Sequence, residues 1–440
     1  MRPQPPSTDI ELDMLQRESF QYFMQEANPE NGLVVDKCAP GWPASIAAVG
    51  LALAVYPVGV ERGFITRAAA IERVLATLRF FWRSPQGTEP DATGYRGFYY
   101  HFLDMRTGGR AWQCELSTID TTFLLAGALT AASYFDGDNG EEEEIRALAD
   151  ALYLRADWSW AQADGGAVAL GWKPECGFLP YRWQGYDEAM LMYILGLGSP
   201  THPLSADSYQ DRVAAYQWQH SYGQDYLYCG SLFTHQLSHI WIDFRGIQDS
   251  FMRGKGIDYF ENSRRATYVQ REYAIDNPLG FAGYCSCCWG ITASDGPGPA
   301  VLDIGGKKRE FYDYVARGAP HGPDDGTVAP WAAVASLPFA PEIVLPAIDH
   351  LVHELDLKAG NAYGFKSTFN ATYPCNCDNP YGWVSPWHYG INEGPVVLMI
   401  ENFRSELPWR LMRDCPYIVD GLRRAGFTGG WLDRLSGRPS

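Results

Sequence analysis

Glu188 has sequence neighbours that would favour a role as a proton donor. Glu188 follows Trp183 and Tyr186, and the pattern places it in the first turn of an otherwise apolar helix. A carboxyl group against aromatic walls loses hydration, which disfavours its ionised form and raises its pKa. A general acid working near neutral pH needs such a raised pKa. The alternative is a structural charge stabilised by the helix dipole. We predict the catalytic role for Glu188.

Two further carboxylates, Glu115 and Asp120, are close together in the sequence. Ser117-Thr-Ile-Asp120 is similar to a capping box, so a structural role as a helix cap competes with a catalytic role for Asp120. Glu115 precedes the cap on a loop, where its carboxylate would face a cavity. We expect one of the two, Glu115 by preference, to be the second catalytic carboxylate beside Glu188.

His235, His239 and Asp243 recur every four residues, so on a helix they would share one face. Such a trio could bind a metal ion, but no Glu follows the first His as in an H-E-x-x-H motif. Hydrogen-bonded histidines in a polar cavity wall are the favoured interpretation, and we predict neither a metal site nor a cofactor. Asp243 either binds a substrate or forms a buried ion pair with Arg245.

Composition narrows the class of ligand. The chain has 35 Lys and Arg against 52 Asp and Glu, a formal net charge of −17. Nucleic-acid binding requires a basic stripe, and none is visible. Aromatic residues make up 14% of the chain, and the flat faces of Trp and Tyr stack on sugar rings. The composition therefore favours a neutral oligo- or polysaccharide, although a large aromatic core would account for it equally well.

Several other residues are candidates for contacts with a sugar. Asp258 stands before an aromatic pair and either binds a hydroxyl group or caps a helix that begins near Asn262. The candidate stacking platforms are Trp42, Trp183, Tyr186, Trp289, Trp331 and Trp387, and the candidate hydroxyl partners are His101, His235, Arg264 and His388.

These residues lie on long loops between helical segments. Nearly uncharged segments alternate with amphipathic ones, as in 44–54 followed by 65–82 and 119–135 followed by 141–154. Helices that are apolar all round are buried, and helices with one polar face lie at the surface. Similar pairs return at 328–337 with 342–357 and at 395–403 with 407–425. Repeated inner and outer helices predict an all-α fold, the (α/α)6 toroid, in which the loops gather at one end as a single domain over 1–440.

Cysteine spacing and the N-terminal sequence bear on metals and compartment. The C-x-C pairs near Cys285 and Cys375 lack the usual C-x2-C zinc spacing, so we expect buried thiols or one disulfide between Cys285–Cys288 and Cys375–Cys377. No signal peptide and no membrane-spanning stretch is recognisable. As written the chain would be cytoplasmic, and as the mature form of a precursor it would be periplasmic or secreted.

A run of motifs resembles the bacterial glucoamylase-like proteins, which include the β-1,2-glucanases of glycoside hydrolase family 144. The resemblance extends in order from about Leu12 to Trp409 and implies an (α/α)6 fold, no metal, and hydrolysis of β-1,2-linked glucan, with Glu115, Asp120 and Glu188 in the acidic cleft. The motifs are Gly97-Phe-Tyr-Tyr-His-Phe-Leu-Asp, Glu115-Leu-Ser-Thr-Ile-Asp-Thr, Gly185-Tyr-Asp-Glu-Ala, Leu197-Gly-Ser-Pro-Thr, Trp241-Ile-Asp-Phe-Arg-Gly, Asp258-Tyr-Phe-Glu-Asn-Ser-Arg-Arg-Ala-Thr, Trp289-Gly-Ile-Thr-Ala-Ser-Asp-Gly-Pro and Ala329-Pro-Trp-Ala.

Two segments depart from that family pattern. Where an Asp is expected in a Gly-Phe-x-Asp segment, the chain has Gly364-Phe-Lys-Ser, and where Asp-Gln-Gly-Pro is expected it has Asn392-Glu393-Gly-Pro. Both belong to the C-terminal wall of the predicted cleft, so they bear on chain-length preference and on the identity of the base. Glu393 remains a candidate for substrate binding.

The prediction is thus a glycoside hydrolase acting on β-glucan, most simply β-1,2-linked. Three alternatives compete with it. A polysaccharide lyase on the same toroid would use Tyr and His as acid and base, but a net charge of −17 disfavours an anionic substrate. A glycan-binding relative without catalytic activity is the second alternative, and a transglycosylase the third.

Overall fold

The structure is a computed structural model that describes residues 6–163, 165–375 and 381–435. It is mostly helical. The α-helices are α1 Pro6–Gln25, α2 Ile46–Glu61, α3 Arg67–Arg83, α4 Thr118–Tyr134, α5 Gly140–Arg155, α6 Trp158–Ala161, α7 Met190–Gly198, α8 Ser208–Val213, α9 Leu237–Trp241, α10 Ser250–Lys255, α11 Tyr259–Asp276, α12 Pro330–Ala335, α13 Pro341–Asp349, α14 Gly390–Arg404, α15 Leu407–Arg413, α16 Pro416–Arg424 and α17 Gly430–Leu435. A 3-10 turn at Leu232–His235 and a π-helical turn at His350–Glu354 complete the helical segments.

The strands are short and belong to the long loops. They are β1 Ala44–Ser45, β2 Gly94–Tyr95, β3 Phe98–Tyr100, β4 Phe102–Leu103, β5 Leu116–Ser117, β6 Gly171–Lys173, β7 Gly177–Phe178, β8 Trp218–Ser221, β9 Gln224–Leu227, β10 Ala293–Ser294, β11 Ala300–Ile304, β12 Lys307–Phe311, β13 Val315–Ala316, β14 Phe369–Asn370 and β15 Trp383–Val384. One antiparallel sheet has the order β2-β3-β5-β6-β7, and the other strands form two-stranded ribbons.

Buried and half-exposed helices alternate along the chain, as the hydrophobic pattern predicts. In α2 every residue from Ile46 to Gly59 is buried, and α4, α7 and α12 are buried over almost their whole length. The helices that follow them, such as α3 and α5, bury only one face. A single apolar cluster extends from Leu12 in α1 to Leu432 in α17 and connects these helices.

Glycines allow the buried helices to approach each other closely. A Cβ atom on Gly127 of α4 would lie 1.9 Å from the carbonyl oxygen of Gly50 in α2, and one on Gly50 would lie 2.2 Å from the carbonyl oxygen of Phe123. No side chain fits at either position without moving the backbone. The contact between α2 and α4 is therefore made backbone to backbone, and it fixes the start of α4, where the candidate acids lie.

The structure refines two local predictions. The segment 407–425 forms two helices, because Pro416 starts a new helix after Cys415. Cys285, Cys287 and Cys288 are free thiols, so of the two expected alternatives the disulfide between their segment and Cys375–Cys377 does not form. Cys375 is disulfide-bonded, and Cys377 lies outside the described residues.

Among the described residues, no helix has the length and apolar character needed to cross a bilayer.

Candidate active site

A pocket of about 300 Å³ collects carboxylates and aromatic rings from distant parts of the chain. Its polar lining residues are His101, Glu115, Ser117, Asp120, Glu188 and Asn392. Its aromatic lining residues are Phe123, Trp183, Phe233, Tyr314 and Trp331. All three predicted catalytic carboxylates therefore face the same cavity, together with three of the predicted sugar-binding residues, His101, Trp183 and Trp331.

The sheet places His101 beside Glu115. In the antiparallel pair of β3 and β5, Tyr100 lies opposite Leu116, so the next residue in β3's direction reaches Glu115. The backbone N–H of His101 donates to the Glu115 carbonyl at 3.0 Å, and its Nδ1 lies 2.8 Å from Glu115 Oε1. His101 Nε2 lies 3.7 Å from Asp120 Oδ2. One imidazole thus bridges the two carboxylates.

This bridge shifts the pKa values of His101 and Glu115. Burial disfavours the imidazolium, but the charges of Asp120 and Glu115 outweigh burial and raise the pKa of His101 to about 9. Burial also favours the neutral form of Glu115, but its hydrogen bond with His101 outweighs this and holds the pKa of Glu115 below its ordinary value. At neutral pH the His101 side chain is a cation next to an ionised Glu115.

The backbone N–H and the carboxylate of Asp120 both form a hydrogen bond with Ser117 at the start of α4. Ser117 is the N-cap, and its hydroxyl accepts from the Asp120 N–H at 3.1 Å, which confirms the predicted capping motif. The same hydroxyl donates to the Asp120 carboxylate. The carboxylate is held next to the pocket by the cap, so its structural role does not remove it from the site.

Glu188 lies on a turn that a buried ion pair holds in place. It precedes α7, which begins at Met190, so the prediction that it belongs to the first helical turn is wrong by two residues. Asp187 Oδ1 accepts from the guanidinium of Arg212 at 2.9 Å and from the N–H of Ala189 at 3.0 Å. Arg212 is fully buried, and the Ser238 hydroxyl donates to the Glu188 carbonyl at 2.7 Å. The backbone is fixed on both sides of the Glu188 side chain.

The environment of Glu188 keeps a proton on it. Burial, followed by the charge of Asp187, raises the pKa of Glu188 from 4.5 to about 8, and Asp120 raises it further. The indole of Trp183 forms part of the same wall and is held by a 3.0 Å hydrogen bond from Nε1 to the hydroxyl of Thr118. The pocket therefore contains one carboxyl group, Glu188, that is neutral at pH 7 and one, Glu115, that is ionised. Acid–base catalysis requires one group of each kind.

Tyr314 is a lining residue that the sequence analysis did not single out. It lies between β12 and β13, and it is 58% exposed at the mouth of the pocket. The backbone around it is pinned by Arg317, which donates to the carbonyls of Tyr312 and Asp313 at 3.0 and 3.2 Å. Arg317 also pairs with Asp325 at 2.8 Å, and both side chains are fully buried. Tyr314 is thus an exposed residue on a backbone segment that the buried Arg317 holds by hydrogen bonds.

The structure separates the predicted histidine trio. The 3-10 turn ends at His235, α9 spans Leu237–Trp241, and Asp243 lies beyond the helix end, so the three residues share no single helix face. His235 Nε2 donates to the Cys229 carbonyl at 3.1 Å, and burial lowers the pKa of His235 to about 4. Asp243 pairs with Arg245 at 2.7 Å and with Arg413, so it is the buried ion pair and not a pocket residue. Within the described part of the chain, no group of three His, Cys, Asp or Glu residues could hold a metal ion.

Other predicted sugar contacts have structural roles instead. Asp258 caps α11 by accepting from the Glu261 N–H at 2.7 Å and also accepts from the Gly246 N–H at 2.8 Å. Arg264 pairs with Glu342 at 2.6 Å. Neither Asp258 nor Arg264 lines the pocket. Of the two roles considered for Asp258, the structure shows the helix cap.

Several further candidates are buried and do not line the pocket. Trp289 is fully buried and cannot stack on a ligand in this arrangement. Tyr186 is 9% exposed and packs against Tyr259 and His235. His388 and Glu393 are also buried, and they bond to each other at 3.0 Å through Nδ1 and Oε1.

Trp42 and Trp387 lie near the site without lining it. Trp42 Nε1 donates to Asp36 at 3.1 Å, and the Lys37 ammonium lies 3.8 Å from the Trp42 ring centre and 5.6 Å from that of Trp387. The charge of Asp36 contributes to the raised pKa of His101, so this group lies at the edge of the acidic cluster. Both rings remain candidates for contacts outside the pocket.

Comparison with known proteins identifies the family. Residues 180–416 match the family model described as "Putative glucoamylase". A structure from Bacteroides uniformis, described as a putative glucoamylase, is 31% identical and covers 98% of this chain and 100% of its own, with a TM-score of 0.85. The chain belongs to this glucoamylase-like family.

Two further relatives of the glucoamylase-like chain have more specific descriptions. An endo-beta-1,2-glucanase from Chitinophaga pinensis, in complex with sophorotriose and glucose, is 26% identical with a TM-score of 0.80 and covers 97% of this chain and 100% of its own. An exo beta-1,2-glucooligosaccharide sophorohydrolase from Parabacteroides distasonis is 29% identical over 95% of this chain. The chain spans 58% of the length of that curated relative.

Proposed function

We propose that the protein is a glycoside hydrolase that cleaves β-1,2-linked glucan by general acid–base catalysis with two carboxylates. The observation that carries this proposal is the protonated carboxyl group of Glu188, whose pKa is raised to about 8, in a pocket that also contains ionised Glu115 and aromatic walls. The descriptions of the relatives from Chitinophaga pinensis and Parabacteroides distasonis support β-1,2-glucan as the substrate.

In this mechanism Glu188 donates its proton to the glycosidic oxygen as the bond to the anomeric carbon breaks. Glu115 is the second carboxylate, because its side chain is 22% exposed whereas that of Asp120 is 8% exposed. It either activates a water molecule or attacks the anomeric carbon, and the two routes give opposite anomers of the product. The His101 cation keeps Glu115 ionised before the reaction begins, so that it can act in either way.

The proposal extends to the fold and to the walls of the pocket. Alternating buried and half-exposed helices around one apolar cluster support an (α/α)6 toroid built as a single domain. Trp183, Trp331 and the exposed Tyr314 are the proposed stacking surfaces for sugar rings, since Trp and Tyr offer flat faces with one polar edge.

The proposal is tested by incubating linear β-1,2-glucan with the wild-type protein and with Glu188→Gln. The wild type should release shorter oligosaccharides, and Glu188→Gln should be slower by at least about a hundredfold, the lower range for loss of a general acid. Glu143→Gln is the matched control, because Glu143 is an exposed glutamate on α5. Equal rates for the wild type and Glu188→Gln would overturn the assignment of the acid, and products longer than the substrate would indicate transglycosylation instead.

A further inference from the structure

A buried carboxylate beside the pocket accepts hydrogen bonds from hydroxyl groups of two separate segments. Asp295 follows β10 and is 6% exposed. It accepts hydrogen bonds from the hydroxyls of Ser367 at 2.7 Å, Ser385 at 2.5 Å and Thr368 at 3.1 Å. A carboxylate only accepts hydrogen bonds, so these hydroxyl groups direct their hydrogens towards Asp295.

The Asp295 carboxylate determines which group donates in the hydrogen bond between Ser367 and Asn392. A serine hydroxyl has one hydrogen, and Ser367 uses it on Asp295. Ser367 Oγ can then only accept, and the group 3.0 Å away from it is the side-chain amide of Asn392. The amide must present Nδ2 to Ser367, because two acceptors facing each other would repel. The orientation of the Asn392 amide is thus determined by a charge two hydrogen bonds away.

This orientation leaves the carbonyl oxygen of Asn392 for a ligand. Asn392 is 6% exposed and lines the pocket that contains Glu188. Its backbone N–H donates to the Tyr389 carbonyl and its Nδ2 donates to Ser367, whereas no described group donates to Oδ1. Because Asn392 lines the pocket, its Oδ1 can accept a hydrogen bond from a molecule bound there.

We propose that Asn392 binds substrate by accepting a hydrogen bond from a sugar hydroxyl, and that Asp295, acting through Ser367, is the residue that positions it. This inference rests on the proposed function for the class of ligand, because a neutral sugar offers hydroxyl donors. It assigns Asn392 a ligand-binding role and Asp295 a positioning role that does not require contact with the sugar.

The test measures sophorotriose binding by calorimetry in the Glu188→Gln background, so that no turnover occurs. Asn392→Ala and Ser367→Ala should each weaken binding by about tenfold, the usual loss for one hydrogen bond between neutral groups. Ser385→Ala is the matched control: it removes a hydroxyl from the same carboxylate but does not contact Asn392, so its affinity should stay within about twofold of the parent.

A double variant separates positioning from general disruption. Because Ser367 acts through Asn392, the Ser367→Ala and Asn392→Ala double variant should bind no more weakly than Asn392→Ala alone. Additive losses, or an equal loss in Ser385→Ala, would overturn the positioning role. Parent-like affinity in Asn392→Ala would overturn the binding role of Asn392 alone, whereas failure of the parent itself to bind sophorotriose would overturn the proposed substrate as well.

Discussion

At the scale of single residues, the main feature of the pocket is that the pKa values of Glu188 and Glu115 are shifted in opposite directions. Desolvation dominates at Glu188 and keeps it protonated, whereas the hydrogen bond from His101 dominates at Glu115 and keeps it ionised. The sequence could predict the first effect, since Trp183 and Tyr186 flank Glu188, although only Trp183 proves to line the pocket. It could not predict the second, because the contact between His101 and Glu115 depends on the register of β3 and β5.

The raised pKa of Glu188 should make the native state less stable as pH rises. The folded-state pKa of about 8 lies above the ordinary value of 4.5, so between these values the native state holds a proton that the unfolded state has lost. Stability therefore falls through this window, by at most about 1.4 kcal/mol per pH unit. Glu188→Gln removes the titration, so we expect its melting temperature relative to the wild type to increase from pH 5 to pH 8. Thermal unfolding monitored by circular dichroism checks this, and a difference that stays constant with pH would contradict it.

At the scale of elements, the turn before α7 depends on the buried pair of Asp187 and Arg212. Asp187→Asn removes the charge that compensates a fully buried guanidinium, so we expect the free energy of unfolding to fall by about 3 kcal/mol. Glu261→Gln is the control, because Glu261 pairs with Arg265 near the surface, where loss of an ion pair costs less than about 1 kcal/mol. Urea unfolding of both variants measures the difference, and equal losses would show that the buried pair has no special role.

The backbone contact between α2 and α4 gives a second test at this scale. Gly127→Ala places a Cβ atom 1.9 Å from the Gly50 carbonyl oxygen, so the two helices must separate, and we expect a loss of about 3 kcal/mol. Gly140→Ala at the start of α5 meets no atom within 4 Å and should leave stability unchanged or slightly improved. Chemical denaturation distinguishes the two, and a tolerated Gly127→Ala would mean that the helices are not in backbone contact.

Hydrophobic pattern predicted these elements well and their connections poorly. The nearly uncharged segments 44–54 and 119–135 correspond to α2 and α4. These helices can be buried on all sides because they have almost no charged side chain that must stay in water. The four-residue spacing of His235, His239 and Asp243 does not place them on one helix face. The 3-10 turn ends at His235, and α9 begins only after Gln236. The network of Asp295, Ser367 and Asn392 joins residues 72 and 25 positions apart, so no local pattern could have predicted it.

At the scale of the whole molecule, a net charge of −17 and an uncharged substrate should give binding that hardly depends on salt. We expect the KM for linear β-1,2-glucan to change by less than about twofold between about 0.05 and about 0.5 M salt, since screening acts only between charges. An anionic polysaccharide would be repelled by the acidic protein and would bind more tightly as salt increases. Steady-state kinetics with the glucan at several salt concentrations check this, and a KM that changes steeply with salt would contradict it.

The account depends most on the protonation of Glu188. Carbon-13 NMR of protein labelled at the glutamate side-chain carboxyl, with the Glu188 signal assigned by its absence in Glu188→Gln, measures that protonation directly. The predicted result is a signal that titrates with a midpoint near 8. A midpoint near the ordinary value of 4.5 would mean that the carboxyl group is ionised at neutral pH and cannot be the proton donor.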